Sequence, residues 1–267
     1  MNRFKGSVRS ATAAASSLSS APGRWTLTEA TQARQNAAWP NASPGGSILF
    51  NGSSQYLSVN AAQKPTTLGN NLFTIEMFVR FSALPANGGL ASLSCTSDIN
   101  FRFFLHGAAT AGDGIMTVWE GSNIRWTSAA SGILANTWYH VCIMRSNIGD
   151  TTSVLNFYVN GVSIATTNPR AAVTWVTGGM IIGAETSPQY VVNGNITNYR
   201  YVNGTAVYSV AGFTPPTAPL TNITNTKLLL LALNGTTFAN DSSTANSGSG
   251  YPVTNVGGAT FSALTPF

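Results

Sequence analysis

Two neighbouring runs limit the fold more than any other part of this chain. The first is Trp138-Tyr139-His140-Val141-Cys142-Ile143-Met144-Arg145; the second, after a short polar gap, is Asn156-Phe157-Tyr158-Val159-Asn160-Gly161-Val162-Ser163-Ile164. In the first, odd and even positions are both largely apolar, which suits a β-strand covered on both faces. In the second, Asn160-Gly161 supplies the two positive-φ positions of a tight primed turn, between β-branched and aromatic residues. The pair predicts consecutive antiparallel strands at the centre of a sheet.

The rest of the chain extends that sheet. Phe73, Ile75, Met77, Val79 and Phe81 alternate with Thr74, Glu76, Phe78 and Arg80, a period of two with one face to the core. Shorter strands are predicted at 101–105, 115–119, 124–126, 173–176, 180–182, 194–201 and 227–233, separated by Gly and Asn turn signals at short intervals, as a sandwich requires. Thr214 to Leu220, with three prolines, reads as a stiff extended connector. Beyond Asp241 the chain turns to Ser, Asn and Gly and reads as a loose last strand or packing arm. Cys95 and Cys142 form no disulfide framework and no metal spacing; Cys142 reads as a buried hydrophobe, and a bond between the two stays open.

Several of these pieces resemble, in order, a laminin-G-like, concanavalin-A-like jelly roll. They are Ile48-Leu49-Phe50-Asn51-Gly52-Ser53 with Tyr56-Leu57-Ser58-Val59, then 73–80, then Trp138-Tyr139-His140-Val141 with Phe157-Tyr158-Val159-Asn160-Gly161, and finally Ile181 to Ala184 with Gly194 to Arg200. The resemblance implies an all-β fold, a two-sheet antiparallel jelly-roll sandwich, over residues 46–240. It does not settle the function, because that superfamily hosts lectins, adhesion modules, hydrolases and structural shells. The expected organisation is an extended basic Ser/Ala-rich arm (1–23), a short Trp-bracketed helix and linker (24–45), the jelly roll (46–240) and a C-terminal strand or tail (241–267).

Charge is sparse and uneven. Only 8% of residues are Asp, Glu, Lys or Arg, against roughly 25% in ordinary soluble domains. Five of the thirteen basic residues (Arg3, Lys5, Arg9, Arg24 and Arg34) precede position 35, with Glu29 the one acid there. The jelly roll is thus near neutral, and the net charge of +5 implies no nucleic-acid face on it. No apolar run is long enough for a membrane span. The arm alone cannot bury enough surface to offset its ordering entropy, so a partner is expected to hold it. A helix is expected from Thr26 or Thr28 to about Ala37, capped by that threonine and ended by Trp39-Pro40. The segment from Trp25 to Pro40, and Phe213 to Pro216 near the last strands, resemble pieces of structural proteins of tailed bacteriophages.

Catalytic patterns are thin. Glycoside hydrolysis needs two carboxylates roughly 5–10 Å apart, and no two of the eight acids fall within four residues of each other. Glu76 reads as a lone acid on an exposed strand face, His140 as a core or inter-sheet hydrogen-bonding residue, and His106 as exposed. Calcium is the resembled family's common cofactor. Its acidic positions fall here on Asn51 and Gln55, so no cofactor is expected, with calcium the exception to watch at Asp98, Asn100 or Asp113. A glycan site needs an aromatic platform with amides and hydroxyls beside it. Trp119, Trp126, Trp175 and Tyr190 fall at predicted strand ends or loops, with Ser122, Asn123 and Asn193 around them.

These readings converge on a non-enzymatic virion protein displayed on a particle surface, as a capsid decoration or a tail or fibre component. It would be anchored to other virion subunits or to copies of itself through Arg3, Phe4, Lys5, Arg9, Trp25 and Trp39. No nucleic-acid or membrane partner is expected. The alternative is a carbohydrate-binding adhesin that recognises host surface polysaccharide through Trp119, Asn123, Trp126, Tyr190 and Asn193.

Overall fold

The computed structural model describes residues 45–60, 71–148, 154–164, 179–186 and 188–267, with backbone only at Arg125 and Val154. The predicted helix, the anchoring residues Arg3, Phe4, Lys5, Arg9, Trp25 and Trp39, and the predicted strand at 173–176 with Trp175 lie outside the described residues.

Among the described residues, fifteen strands form two antiparallel sheets. The first contains β1 (Ser47–Asn51), β3 (Phe73–Phe81), β8 (Tyr139–Asn147), β9 (Val154–Val159), β10 (Val162–Ser163), β12 (Asn193–Asn203), β13 (Thr226–Leu230) and β15 (Thr260–Ser262). Its order is β10-β9-β8-β3-β12-β1-β15; β1 and β13 share one edge of β12, paired with its first and second halves. The second contains β2 (Tyr56–Val59), β4 (Leu90–Thr96), β5 (Phe101–His106), β6 (Ile115–Glu120), β7 (Asn123–Ala130), β11 (Met180–Ile182) and β14 (Val253–Val256), in the order β14-β2-β11-β4-β5-β6-β7. This is the expected jelly-roll sandwich. Among the described residues no helix is long and apolar enough to cross a membrane.

Strand parity builds the core. Phe73, Ile75, Met77, Val79 and Phe81 of β3 face inward with Val141 and Ile143 of β8 and Phe157 of β9, against Phe101, Phe103 and Leu105 of β5 and Val118 of β6. Edge-to-face contact of Phe73 with Phe101 (centroids 6.1 Å apart) joins the sheets, a favoured ring geometry. In the β9–β10 hairpin, Asn160 (φ 49°) and Gly161 (φ 75°) form the expected turn.

Three features depart from the sequence reading, and one question it left open, the bond between the two cysteines, is answered. β3 is covered on both faces rather than one, because chain crosses its outer side: Thr74, Glu76 and Phe78 are as buried as their inward neighbours. β4 is a full strand that the sequence reading left out; its apolar residues Leu90, Ala91, Leu93 and Cys95 are small or interrupted by Ser92 and Ser94, and a bulge between those two serines breaks its alternation. The C-terminal residues are integral, since β14 pairs β2 and β15 pairs β1. Cys95 and Cys142 are free and buried. They project from the outer faces of opposite sheets, and face-to-face sheets lie about 10 Å apart, too far for a disulfide to bridge.

Candidate functional site

The sandwich has two outer faces, and each carries a buried carboxylate paired with an arginine. On the eight-stranded sheet, parity sends Glu76 (β3), His140 and Cys142 (β8), Tyr158 (β9) and Arg200 (β12) outward. A bulge at Asn198 (φ 52°) resets the parity of β12, so that Tyr199 faces the core while Arg200 lies opposite Glu76. Arg200 donates to Glu76 Oε1 through Nε (2.9 Å) and Nη2 (2.6 Å); Tyr208 donates to Oε2 (2.7 Å), which also meets His140 Nε2 at 3.0 Å.

Residues 204–225 seal this cluster. The Val207 N–H donates to Thr74 Oγ1, the Tyr158 hydroxyl to the Val210 carbonyl, the Phe213 N–H to the Gly161 carbonyl, and Arg200 Nη1 to the Thr221 carbonyl. Tyr208 stacks on Phe213 with centroids 3.7 Å apart, and Phe213 meets the His140 ring edge-on. Burial alone would raise the Glu76 carboxyl. The His140 hydrogen bond, the Arg200 charge and the Tyr208 hydroxyl overcome it and hold the group below its ordinary value. Glu76 is therefore no exposed strand residue: it has no exposed surface. His140 is buried, as expected.

The seven-stranded sheet is different. Here Arg102, Phe104 and His106 (β5) and Thr117 and Trp119 (β6) point outward under a loop, residues 183–192, closed by the Val192 N–H donating to the Gly183 carbonyl. Arg102 Nη1 lies 3.1 Å from both Glu185 oxygens, and Nη2 donates to the Gly121 carbonyl. The guanidinium sits 5.3 Å from the Trp119 ring centroid, within cation–π range. Phe104, fully buried, meets Trp119 (5.5 Å) and Tyr190 (5.6 Å) edge-on at either side.

Trp119 is half-buried, and Tyr190 is 40% exposed. Tyr190 sits at φ 52°, while its carbonyl accepts the Ser92 N–H at 2.7 Å. A bulky residue in that conformation is strained and persists only where its surroundings fix it. The Trp119 indole N–H donates to Thr117 Oγ1, which also meets His106 Nε2, both at 2.8 Å. His106 is half-buried rather than exposed, and burial pushes its pKa below that of a free imidazole. The face is thus a strip of aromatic rings with one open edge, stiffened from beneath by an ion pair and a strained loop.

The structure sorts the candidates plainly. Trp119 and Tyr190 come together across Phe104. Asn123 is exposed at the start of β7, at the β6–β7 turn, opposite Glu120. Asn193 is exposed but belongs to the other sheet, paired with Asn51. Trp126 is corrected: it is 2% exposed and part of the core. A bulge on β6–β7 sets Ile124 opposite Trp119 and Trp126 opposite Val118, so two residues that simple alternation puts on one face fall on opposite faces. Sequence reasoning missed Arg102, Phe104, Glu185 and His106, which only the sheet register and the 183–192 loop bring together.

Among the described residues no group of three or more His, Cys, Asp or Glu could hold a metal ion. An open concavity of ≈ 660 Å³ lies elsewhere, lined by Asn222, Thr224, Asn225, Lys227 and Thr244. It has no aromatic wall, and Asn222 and Thr244 already bond each other (2.8 Å).

Residues 51–205, more than half of the chain, match the family model of the concanavalin A-like lectin/glucanases superfamily. Among solved structures, a putative carbohydrate binding protein from Bacteroides ovatus superposes with a TM-score of 0.50 at 18% identity, covering 82% of this chain and 60% of that one. A heptameric SAP-like pentraxin from Limulus polyphemus gives 0.44 at 18% identity, covering 60% and 76%. Tailspike protein 2 of Escherichia coli O157:H7 bacteriophage CAB120 gives 0.36 at 11% identity, covering 60% and 26%. No curated protein matches the chain.

Proposed function

Because the chain belongs to the concanavalin A-like lectin/glucanases superfamily, we propose that its jelly roll binds carbohydrate, through the open aromatic face of the seven-stranded sheet. One observation carries the reading: Trp119 and Tyr190, both with accessible ring surface, flank the buried Phe104 on a platform that the Arg102–Glu185 pair holds rigid. Aromatic faces with a few fixed polar groups beside them suit sugar rings, which are apolar on their faces and hydroxylated at their edges. Asn123 and the exposed Gln189 side chain stand at the margins as hydrogen-bonding partners. The solved structure that shares the fold at a TM-score of 0.50 is described as a putative carbohydrate binding protein.

In this reading the domain binds without turnover and needs no cofactor. Glu76, the strand carboxylate a glycanase would draw on, is sealed beneath 204–225. The test is a tryptophan-fluorescence titration of the full chain with a polysaccharide panel, beside Trp119→Ala and Tyr190→Ala. Saturable binding lost in both variants is expected. Binding that survives both substitutions would move the site elsewhere.

A second reading can hold together with the first: a virion component, displayed on the particle surface and held by its arm to other subunits or to copies of itself. It draws support from the sequence, where five basic residues and the Trp25–Trp39 segment precede the jelly roll. Deleting residues 1–41 tests it; a truncated protein that still assembled onto particles would end that idea.

A further inference from the structure

The chain holds six Asn-Gly pairs, beginning at Asn51, Asn87, Asn160, Asn193, Asn203 and Asn234, and all six fall within the described residues. Such a pair can modify itself. The Gly nitrogen loses its proton and attacks the Asn side-chain carbonyl carbon; the bond from that carbon to the side-chain nitrogen breaks, ammonia leaves, and a five-membered succinimide remains. Water then opens the ring at one carbonyl or the other, giving isoaspartate or aspartate. Glycine favours the attack because it has no Cβ to crowd the nitrogen. In a folded chain the step needs two freedoms: the side-chain amide must turn, and the main chain must let the next nitrogen reach it. We infer that Asn87 is the one of the six that the fold leaves free, and that it is the site at which this protein deamidates.

Each of the other five is held. Asn51 Oδ1 accepts the Ser53 and Ser54 N–H groups, both at 3.0 Å, while the Gly52 N–H donates to the Val192 carbonyl at 3.0 Å. Asn160 Oδ1 accepts the His140 N–H at 2.9 Å. Asn234 Oδ1 accepts the Thr236 N–H (2.9 Å), the Thr236 hydroxyl (2.7 Å) and the Thr237 N–H (3.0 Å). After Asn193, Gly194 lies inside β12, opposite Phe50 of β1 on one side and Phe81 of β3 on the other, so the ladders fix its backbone. Asn203 ends the same strand, and the Gly204 N–H donates to the Leu72 carbonyl at 2.7 Å.

Asn87 differs on both counts. It is exposed in the loop between β3 and β4, and among the described residues its side chain has no hydrogen-bond partner. Ala86 to Gly89 form a β-turn closed by the Gly89 N–H on the Ala86 carbonyl (2.7 Å), with Gly88 at φ 76°. The Gly88 N–H makes only a long bond, 3.4 Å to the Gly107 carbonyl, and the space beside Gly88 is open. The product is felt beyond the loop. The Gly107 N–H donates to the Gly89 carbonyl at 2.9 Å, continuing the β4–β5 ladder past Leu90 and His106. Isoaspartate carries the main chain through one extra carbon, which moves Gly88 and Gly89 out of step with Gly107. Either product also adds a negative charge beside the His106 end of the open aromatic face.

The experiment ages the full chain at mildly alkaline pH, folded and in parallel unfolded in urea, and follows each Asn-Gly pair by peptide mass spectrometry. Cleavage after Lys and Arg puts the six pairs on six different peptides, with Asn87 on the one spanning residues 81–102, so each rate is read separately. In the folded chain, conversion at Asn87 is expected to run several-fold ahead of every other pair, with isoaspartate in its peptide. In urea the six rates should draw together, because the selectivity comes from the fold. Asn87→Gln, on an exposed loop tip where substitutions are tolerated, should remove the early phase of ammonia release from the folded protein. If another pair leads, if all six convert alike in the folded chain, or if Asn87 stays intact while the unfolded chain converts, the inference is overturned.

Discussion

The two outer faces of this sandwich start from the same ingredients and end differently. Each carries one arginine–carboxylate pair and a group of aromatic rings. On the eight-stranded sheet the pair is Glu76–Arg200, and residues 204–225 fold across it, so that Tyr208 and Phe213 complete the cluster and exclude solvent. On the seven-stranded sheet the pair is Arg102–Glu185, and the covering loop is only long enough to roof one edge, so that Trp119 and Tyr190 keep open surface. The difference lies in the length of the covering chain, not in the chemistry beneath it. The sealed cluster leaves no surface for a ligand; the half-open one is the surface through which we propose that the domain binds carbohydrate.

The comparison breaks first, if it breaks, on paired stability measurements. Glu76→Gln leaves Arg200 and His140 buried without their acceptor and should cost about 3–5 kcal/mol in urea unfolding. Glu185→Gln leaves Arg102 with the Gly121 carbonyl and the Trp119 ring as partners and should cost less, about 1–3 kcal/mol. Equal losses would mean that the open face is as structural as the sealed one.

Next comes Gly161→Ala. The residue has φ 75°, and a Cβ there would run into the Phe213 carbonyl, so a loss of about 1–3 kcal/mol in stability is expected. Saccharide affinity should not change, because the damage falls on the sealed face. Trp119→Ala should invert that pattern, with a loss of about 2 kcal/mol in binding and a smaller shift in thermal midpoint.

Acid sharpens the contrast further. The folded-state pKa of Glu76 lies below its ordinary value of 4.5, so its contribution is complete above that pH and is lost as pH falls through the lower folded value. The thermal midpoint of the wild type should drop in that acidic window, and that of Glu76→Gln should drop less. The smallest effect belongs to Tyr190→Gly. Relief of the φ 52° strain offsets the lost contact with Phe104, and stability should move by less than about 1 kcal/mol while affinity falls. A large destabilisation there would show that the strained loop is part of the scaffold.

Much of this was readable in the chain. β3, β8 and the β9–β10 hairpin announce themselves because aromatic and β-branched residues repeat with period two and Asn160-Gly161 fixes a turn. β4 did not, since it has no β-branched or aromatic residue before Thr96 and its bulge hides the alternation. Trp119 and Tyr190 could be singled out as aromatics near loops, but Trp126 looked the same; only the bulge that moves it opposite Val118 separates core from surface. The ionic half of each face was illegible. Arg102 and Glu185 are 83 residues apart, and Glu76 and Arg200 are 124 apart. No local pattern reports that a loop or a connector will cross a sheet face and desolvate what alternation assigns to water.

The closing strands carry a consequence for how the domain is made. β14 and β15 come from residues 253–262, yet they pair with β2 and β1, at the other end of the domain, one in each sheet. A ribosome that has released everything up to residue 250 has not yet delivered either partner. Until then both opening strands present bare edges to whatever is nearby, and pairings this distant in sequence form slowly. Synthesis of this domain is therefore a period of exposure that lasts until residue 262 has been delivered, and a chain cut before Val253 would leave both sheets unfinished at once.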